Sequence, residues 1–241
     1  MNNAEIEIIR NSTLDEFNSR VTELFLEVVK KNLSEKGHCN IAISGGSTPV
    51  PVFRSIASDF ATDVDWSNVK FFWVDERSVP PSHPESNFGN AFRILLKHLS
   101  GIKYFRMKGE IDSKKAAREY EDIMKVILPV DSGFPVFDLM LMGMGEDGHT
   151  ASLFPDTEIL YEKDKWVDSV WLEKKSTIRI SLTIPVINNS KLRIFVLYGV
   201  NKEKLLHEIL TSGKKKYPIE LLDYSKQRNI FITGKNFKNE N

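Results

Sequence analysis

Cysteine is almost absent from this 241-residue chain, and long apolar runs are absent altogether. The single cysteine, Cys39, excludes an internal disulfide and is typical of a reducing compartment. No apolar run approaches the roughly 20 residues that span a bilayer, so we expect no membrane segment. The first residues, MNNAEIEIIRN, lack the cationic start and apolar core of a secretory signal. We therefore expect a cytoplasmic protein.

The chain also lacks a net charge and any segment that would divide it into domains. Lys plus Arg and Asp plus Glu each total 33, so no bulk field attracts nucleic acid or an anionic membrane, and any anion must be bound by a local site. The chain has no internal repeat, low-complexity tract or Pro/Gly/Ser linker. These absences predict one domain over residues 1–241, with a sizeable core. We expect it to act as a monomer.

Helical and strand-like apolar patterns alternate along the chain. Phe17, Val21, Leu24 and Val28 predict one helical stripe, which starts at a capping Thr13 and ends at Gly37. Four β-rich runs each lead toward a later helical stretch: 39–43, 69–74, 137–142 and 193–198. Such alternation predicts a three-layer, Rossmann-like α/β fold, whose mostly parallel sheet has helices on both faces. Residues 166–172 and 178–184 resemble further strands of unassigned direction, and 229–233 resembles a last one.

The four runs end in glycine or in charged residues. Ligands of open α/β sheets bind beyond the carboxyl ends of the strands. We therefore expect these four ends to meet at one cleft.

The first of these ends is a glycine loop between a strand and a helix, Ser44, Gly45, Gly46, Ser47 and Thr48, followed by Pro49. Glycines let the backbone approach an anion, and the N–H groups at a helix start have no intrahelical partners. The loop is neither a P-loop nor a dinucleotide fingerprint. It predicts either a phosphate site or an ordinary tight turn before a capped helix.

Three charged residues, Asp75, Glu76 and Arg77, follow the second run. Three consecutive charges are not expected to be buried together, so a solvated turn is one interpretation. In the other interpretation, the Arg77 guanidinium donates hydrogen bonds to a phosphate or carboxylate oxygen, while Asp75 or Glu76 orients that guanidinium or a substrate hydroxyl. His83, in the proline-rich loop that follows, is expected to be a surface residue.

The segment GMGEDGHTASLFP contains Asp147 and His149 at the end of the third run. A neutral imidazole is well matched to taking a proton from water near pH 7, although a structural histidine is the alternative. No clustered Cys/His ligand set accompanies it, so we expect no metal.

Two further cations, Arg179 and Lys202, lie later in the chain. A lone Arg or Lys is usually an exposed residue without a functional role. Lys202 is the stronger candidate for a role, because it opens a helix beyond a strand end, where a cation would neutralise phosphate. The lysine run 214–216 predicts a solvated turn.

Four ordered blocks, 41–49, 69–91, 137–157 and 179–206, resemble the 6-phosphogluconolactonase family, which shares fold and ancestry with the glucosamine-6-phosphate deaminases. The resemblance implies a sugar-phosphate lactone as substrate and no cofactor. It implies phosphate binding by Gly45, Gly46, Ser47 and Thr48, with Arg179 and Lys202 as supporting cations. It also implies that His149 is the general base, with Asp75, Arg77 and Asp147 lining the lactone end.

The resemblance also separates the sister activities. Deaminases continue after Asp-Gly-His with a segment containing a glutamate that assists ring opening, whereas residues 151–155 here read ASLFP. This difference favours the lactonase over a deaminase or isomerase, and a sugar-phosphate sensor without turnover is a third reading. The chain departs from the family at residues 229–234, NIFITG, where lactonases usually carry a Trp and an Asp.

Overall fold

The computed structural model describes residues 6–212 and 215–234. The helices within these ranges are α1 (Leu14–Lys36), α2 (Val50–Asp59), α3 (Asn87–Ile94), α4 (Ser113–Ile127), α5 (Ile184–Asn188) and α6 (Val200–Ser212). The strands are β1 (Ile6–Asn11), β2 (Cys39–Ile43), β3 (Val69–Trp73), β4 (Asp75–Arg77), β5 (Lys103–Tyr104), β6 (Val130–Asp131), β7 (Phe134–Pro135), β8 (Leu139–Met142), β9 (Val167–Leu172), β10 (Thr177–Leu182), β11 (Leu192–Tyr198) and β12 (Arg228–Gly234). None of the helices described is both long and apolar enough to pass through a bilayer.

A seven-stranded parallel sheet in the order β1-β12-β11-β8-β2-β3-β5 forms the middle layer. Side chains alternate between its faces, as strand geometry requires. Ile41 and Phe71 pack with α1, α2 and α3 on one face, whereas Ala42 and Phe72 pack with α4 and α6 on the other. The predicted three-layer α/β fold is confirmed.

A smaller antiparallel sheet, β4-β10-β9, supplies the strands whose direction the sequence left unassigned. It joins the main sheet where the N–H of Leu182 donates to the carbonyl of Val74 at 2.9 Å. The interpretation of residues 75–77 as a solvated turn is wrong, because β4 continues almost directly from β3 and pairs with β10. This second sheet places Asp75 and Arg77 beside the carboxyl edge of the first.

The helix from Thr13 to Gly37 is confirmed by its caps. The Thr13 hydroxyl accepts from the Glu16 N–H while the Glu16 carboxylate accepts from the Thr13 N–H, and Gly37 takes the left-handed conformation at φ 75°. Cys39 is fully buried, and burial raises the pKa of its thiol to about 12, which is typical of a cysteine that packs in the core. The predicted turn at 214–216 lies partly outside the described residues, since Lys214 is not among them.

Candidate active site

A cavity of about 230 Å³ lies at the carboxyl ends of β2, β3, β8 and β11, so the predicted meeting of four strand ends is observed. Gly45 and His149 lie in the wall of this one cavity. The sequence-predicted residues that line it are Ser44, Gly45, Gly46, Ser47, Thr48, Asp75, Arg77, His149 and Lys202. Asp147 and Arg179 do not line it.

The glycine loop presents free backbone donors to the cavity. The Ser44 N–H donates to the carbonyl of Leu141 at 2.9 Å, which ties the loop to β8. Among the described residues, nothing accepts a hydrogen bond from the N–H groups of residues 45–48. Gly46 has a φ of 87°, a conformation that favours glycine. Unpaired N–H groups ahead of α2, whose first turn holds no acidic residue, suit an anion.

Asp75 and Glu76 are buried, at 8% and 2% exposure, so the expectation that these charges stay in solvent is wrong. Glu76 is satisfied because its carboxylate accepts from the N–H groups of Asn87 and Phe88 at 2.7 and 2.8 Å, at the start of α3. Burial raises the pKa of Glu76, and these backbone hydrogen bonds oppose the rise. The carboxylate therefore anchors α3 to β4.

Two residues that the sequence analysis did not select hold the Asp75 carboxylate. The Ser152 hydroxyl donates to Oδ2 at 2.7 Å, and the Asn87 amide donates to Oδ1 at 3.1 Å. Both partners are buried. Neither type of residue stands out in a sequence, because the contacts join segments 12 and 77 residues away from Asp75.

Arg77 and Arg179 are opposite each other on β4 and β10, and only Arg77 lines the cavity. Burial lowers the pKa of the Arg179 guanidinium, and the neighbouring charge of Arg77 lowers it further. Arg77 donates to the carbonyl of Glu85, and Arg179 donates to the hydroxyl of Thr177. Two cations therefore stand side by side on one face of the small sheet, and Arg179 lies outside the cavity lining.

His149 is held from two sides. Its Nδ1 is hydrogen-bonded to Oδ1 of Asp147, and its ring stacks on Phe154 with centroids 3.9 Å apart. Burial opposes ionisation of Asp147, but the hydrogen bond and charge of His149 outweigh it and lower the pKa of the carboxyl to about 2. Asp147 itself lines a neighbouring cavity of about 520 Å³, on the Phe154 side.

Lys202 lies in the first turn of α6 and lines the cavity. Burial lowers the pKa of its ammonium, and Glu146 opposes the shift. No carboxylate of residues 6–212 or 215–234 lies within 4.0 Å of this ammonium. A half-buried cation without an ion pair is suited to an anionic ligand. Across the same ranges, no three His, Cys, Asp or Glu side chains group as metal ligands.

The sequence and the fold match known proteins along most of the chain. Residues 12–231 match the family described as glucosamine-6-phosphate isomerases/6-phosphogluconolactonase. A 6-phosphogluconolactonase of Treponema pallidum is 34% identical over 194 residues, 80% of each chain. One of Haemophilus influenzae is 35% identical over 79% of this chain and 81% of its own length. The crystal structure of 6-phosphogluconolactonase from Thermotoga maritima is 27% identical, with a TM-score of 0.82 over 95% of this chain and 99% of that one. This chain therefore belongs to the glucosamine-6-phosphate isomerase/6-phosphogluconolactonase family.

Proposed function

We propose that this protein hydrolyses 6-phospho-D-glucono-1,5-lactone to 6-phospho-D-gluconate, the second step of the oxidative pentose phosphate pathway. The observation that carries the proposal is the shared cavity, which has unpaired backbone N–H groups on one wall and His149 on another. The names of the relatives at 34% and 35% identity support the same substrate.

In this proposal the phosphate group binds the glycine loop. The N–H groups of residues 45–48 and the hydroxyls of Ser47 and Thr48 donate to phosphate oxygens, and the start of α2 adds a favourable dipole. Lys202 supplies a positive charge at the cavity wall. Arg179 adds a second positive charge beside Arg77, next to the lining residues.

His149 acts as general base on the attacking water. Because Asp147 is ionised down to about pH 2, the Nδ1–H of a neutral His149 donates to that carboxylate, and Nε2 keeps its lone pair. Nε2 takes a proton from water as the water oxygen forms a bond to the lactone carbonyl carbon. Arg77 and nearby N–H groups stabilise the oxyanion.

Collapse of the tetrahedral intermediate breaks the bond between the carbonyl carbon and the ring oxygen. The imidazolium returns its proton to that oxygen, which becomes the hydroxyl of the product. Asp75, held by Ser152 and Asn87, orients the groups at the lactone end. No metal or organic cofactor takes part in this scheme.

The test is hydrolysis of freshly prepared lactone with the spontaneous rate subtracted, at equal protein concentrations with and without a chelator. We expect turnover that the chelator does not change. Ammonia release from glucosamine 6-phosphate would instead assign the sister activity. Tight binding of 6-phosphogluconate without turnover would make the protein a sensor, and either result would overturn the proposal.

A further inference from the structure

Asn87 stands between the two ends of the cavity. It is the first residue of α3, is 2% exposed and contributes to the cavity wall. Its Nδ2 donates to the backbone carbonyl of Asp75 at 2.9 Å and to the Asp75 carboxylate at 3.1 Å. Both amide hydrogens are therefore used on one residue at the lactone end.

The other side of the same amide packs against the glycine loop. A Cβ atom placed on Gly45 would lie 1.8 Å from Oδ1 of Asn87, far inside van der Waals contact. Gly45 is thus a glycine because this amide occupies the space that a side chain would fill. The contact ties the position of the phosphate loop to that of α3.

The two N–H groups of the Asn87 amide determine its orientation, because both donate to Asp75. Oδ1 is buried and accepts no hydrogen bond from any described residue. Reversing the amide would place this oxygen against two oxygens of Asp75, so the observed orientation is the favourable one. The unpaired oxygen is the consequence of aiming both hydrogens at Asp75.

The start of α3 cannot move independently of β4. The buried Glu76 carboxylate accepts from the backbone N–H groups of Asn87 and Phe88 and from the hydroxyl of Ser86 at 3.1 Å. Backbone and side chain of Asn87 are therefore held by consecutive residues, Glu76 and Asp75.

We propose that Asn87 is a positioning residue that fixes the phosphate loop relative to Asp75, and so places the lactone carbonyl against His149. This inference rests on the proposed function. Without the amide, the loop keeps its N–H donors, but the substrate is held at the wrong distance from the reacting groups. A displacement of about 1 Å can cost roughly 100-fold in rate.

The test uses Asn87→Ala and Asn87→Leu. The first removes both contacts, and the second keeps most of the volume against Gly45 while removing the donor. We expect kcat to fall about 10- to 100-fold in both variants, while the Kd for 6-phosphogluconate stays within about threefold of wild type, since uniform binding is retained. Asn90→Ala is the matched control, because Asn90 lies on the same helix, bonds to the carbonyl of Pro84 and does not line the cavity.

Far-ultraviolet circular dichroism and thermal unfolding establish which variants are folded. If kcat of a folded variant falls less than about tenfold, or if only KM rises, Asn87 is not a positioning residue. If Asn87→Ala does not fold, Asn87→Leu decides alone. Absence of turnover by the wild type would defeat the proposed function, whereas equal kcat in the wild type and Asn87→Leu would defeat only this inference.

Discussion

Nδ1 of His149 is hydrogen-bonded to Oδ1 of Asp147, although the two side chains line different cavities. The imidazole lines the strand-end cavity, while the carboxylate supports it from the side where Phe154 stacks on the ring. A carboxylate in that position fixes the tautomer and orientation of the imidazole without contact with the ligand. In the proposed scheme, Asp147 therefore acts on His149 and not on the substrate.

Replacing His149 with alanine removes the proposed base. We expect kcat for the lactone to fall about 10²- to 10⁴-fold after subtraction of the spontaneous rate. His83→Ala is the matched control, because His83 is exposed, its ring accepts from the Glu85 N–H, and it does not line the cavity. A loss smaller than tenfold in His149→Ala would remove the imidazole from the role of base.

Asp147→Asn should change the response of stability to acid. The pKa of Asp147 is lowered from 3.8 to about 2, so its contribution is present above pH 4 and is lost as the pH falls toward 2. The free energy of unfolding should thus differ most between wild type and variant above pH 4, and the difference should vanish near pH 2. Because the side chain is 46% exposed, we expect less than about 1 kcal/mol. Urea titrations at several pH values measure it, and a difference that grows with acid would contradict the assignment.

The position of the His149 ring requires a glycine at residue 145. A Cβ atom on Gly145 would lie 2.2 Å from both Cε1 and Nδ1 of His149 and 2.7 Å from Oδ1 of Asp147. Gly145→Ala should therefore displace the ring and lower kcat at least tenfold. A Cβ atom on Gly143 meets nothing within 4 Å, so Gly143→Ala should leave the melting temperature unchanged. Wild-type kcat in Gly145→Ala would show that the ring position does not matter.

Local signals made much of the fold predictable. Thr13 and Gly37 mark the ends of α1 with capping chemistry that a sequence displays directly. The sequence does not predict β1, whose partner, β12, lies more than 200 residues away, so that no local pattern records the pairing. The direction of β9 and β10 depends on pairing with β4, which no local pattern records.

Sequence motifs predict the glycines and the histidine of the site. They do not predict the residues whose place in the site depends on contacts between distant segments. Glu76 looked like a solvated charge, but the N-terminus of α3 satisfies it in the interior. Asn87 carried no signal because its importance arises from packing on Gly45, 42 residues earlier. The sequence predicts that Arg179 supports the phosphate, yet Arg179 pairs with Arg77 across β10 and β4 and does not line the cavity, and no local pattern records that pairing.

Lys202→Met tests the cation at the phosphate end. Removing a charge that binds phosphate equally in the ground and transition states should raise KM about tenfold or more and change kcat much less. Lys204→Met is the matched control, since Lys204 is exposed on the same helix and does not line the cavity. Steady-state kinetics over a range of lactone concentrations separate the two constants. A fall in kcat with unchanged KM would place Lys202 at the reacting end instead.

Arg193 should matter for stability and not for chemistry. It is fully buried at the start of β11, at the end of the sheet opposite to the cavity. Its guanidinium donates to Oδ1 of Asn229 at 2.7 Å, to Oδ1 of Asn188 at 2.9 Å and to the carbonyl of Asp223. The bond to Asn229 ties the start of β12 to β11, and the other two hold α5 and the loop before β12 on the same guanidinium, so the atypical last strand contributes to stability.

Arg193→Met removes three hydrogen bonds and leaves Oδ1 of Asn229 and the carbonyl of Asp223 without a donor among the described residues, whereas Oδ1 of Asn188 still accepts from the Asp223 N–H. We therefore expect a loss of about 3 kcal/mol in the free energy of unfolding. Arg228→Met is the matched control, because Arg228 is half exposed and pairs with an exposed Glu7, an arrangement worth less than about 1 kcal/mol. Denaturant unfolding compares the two variants, and kcat per folded molecule should equal wild type in both. Equal stability losses would mean that the buried guanidinium contributes no more than a surface ion pair, and that β12 is held by its backbone ladder and apolar packing alone.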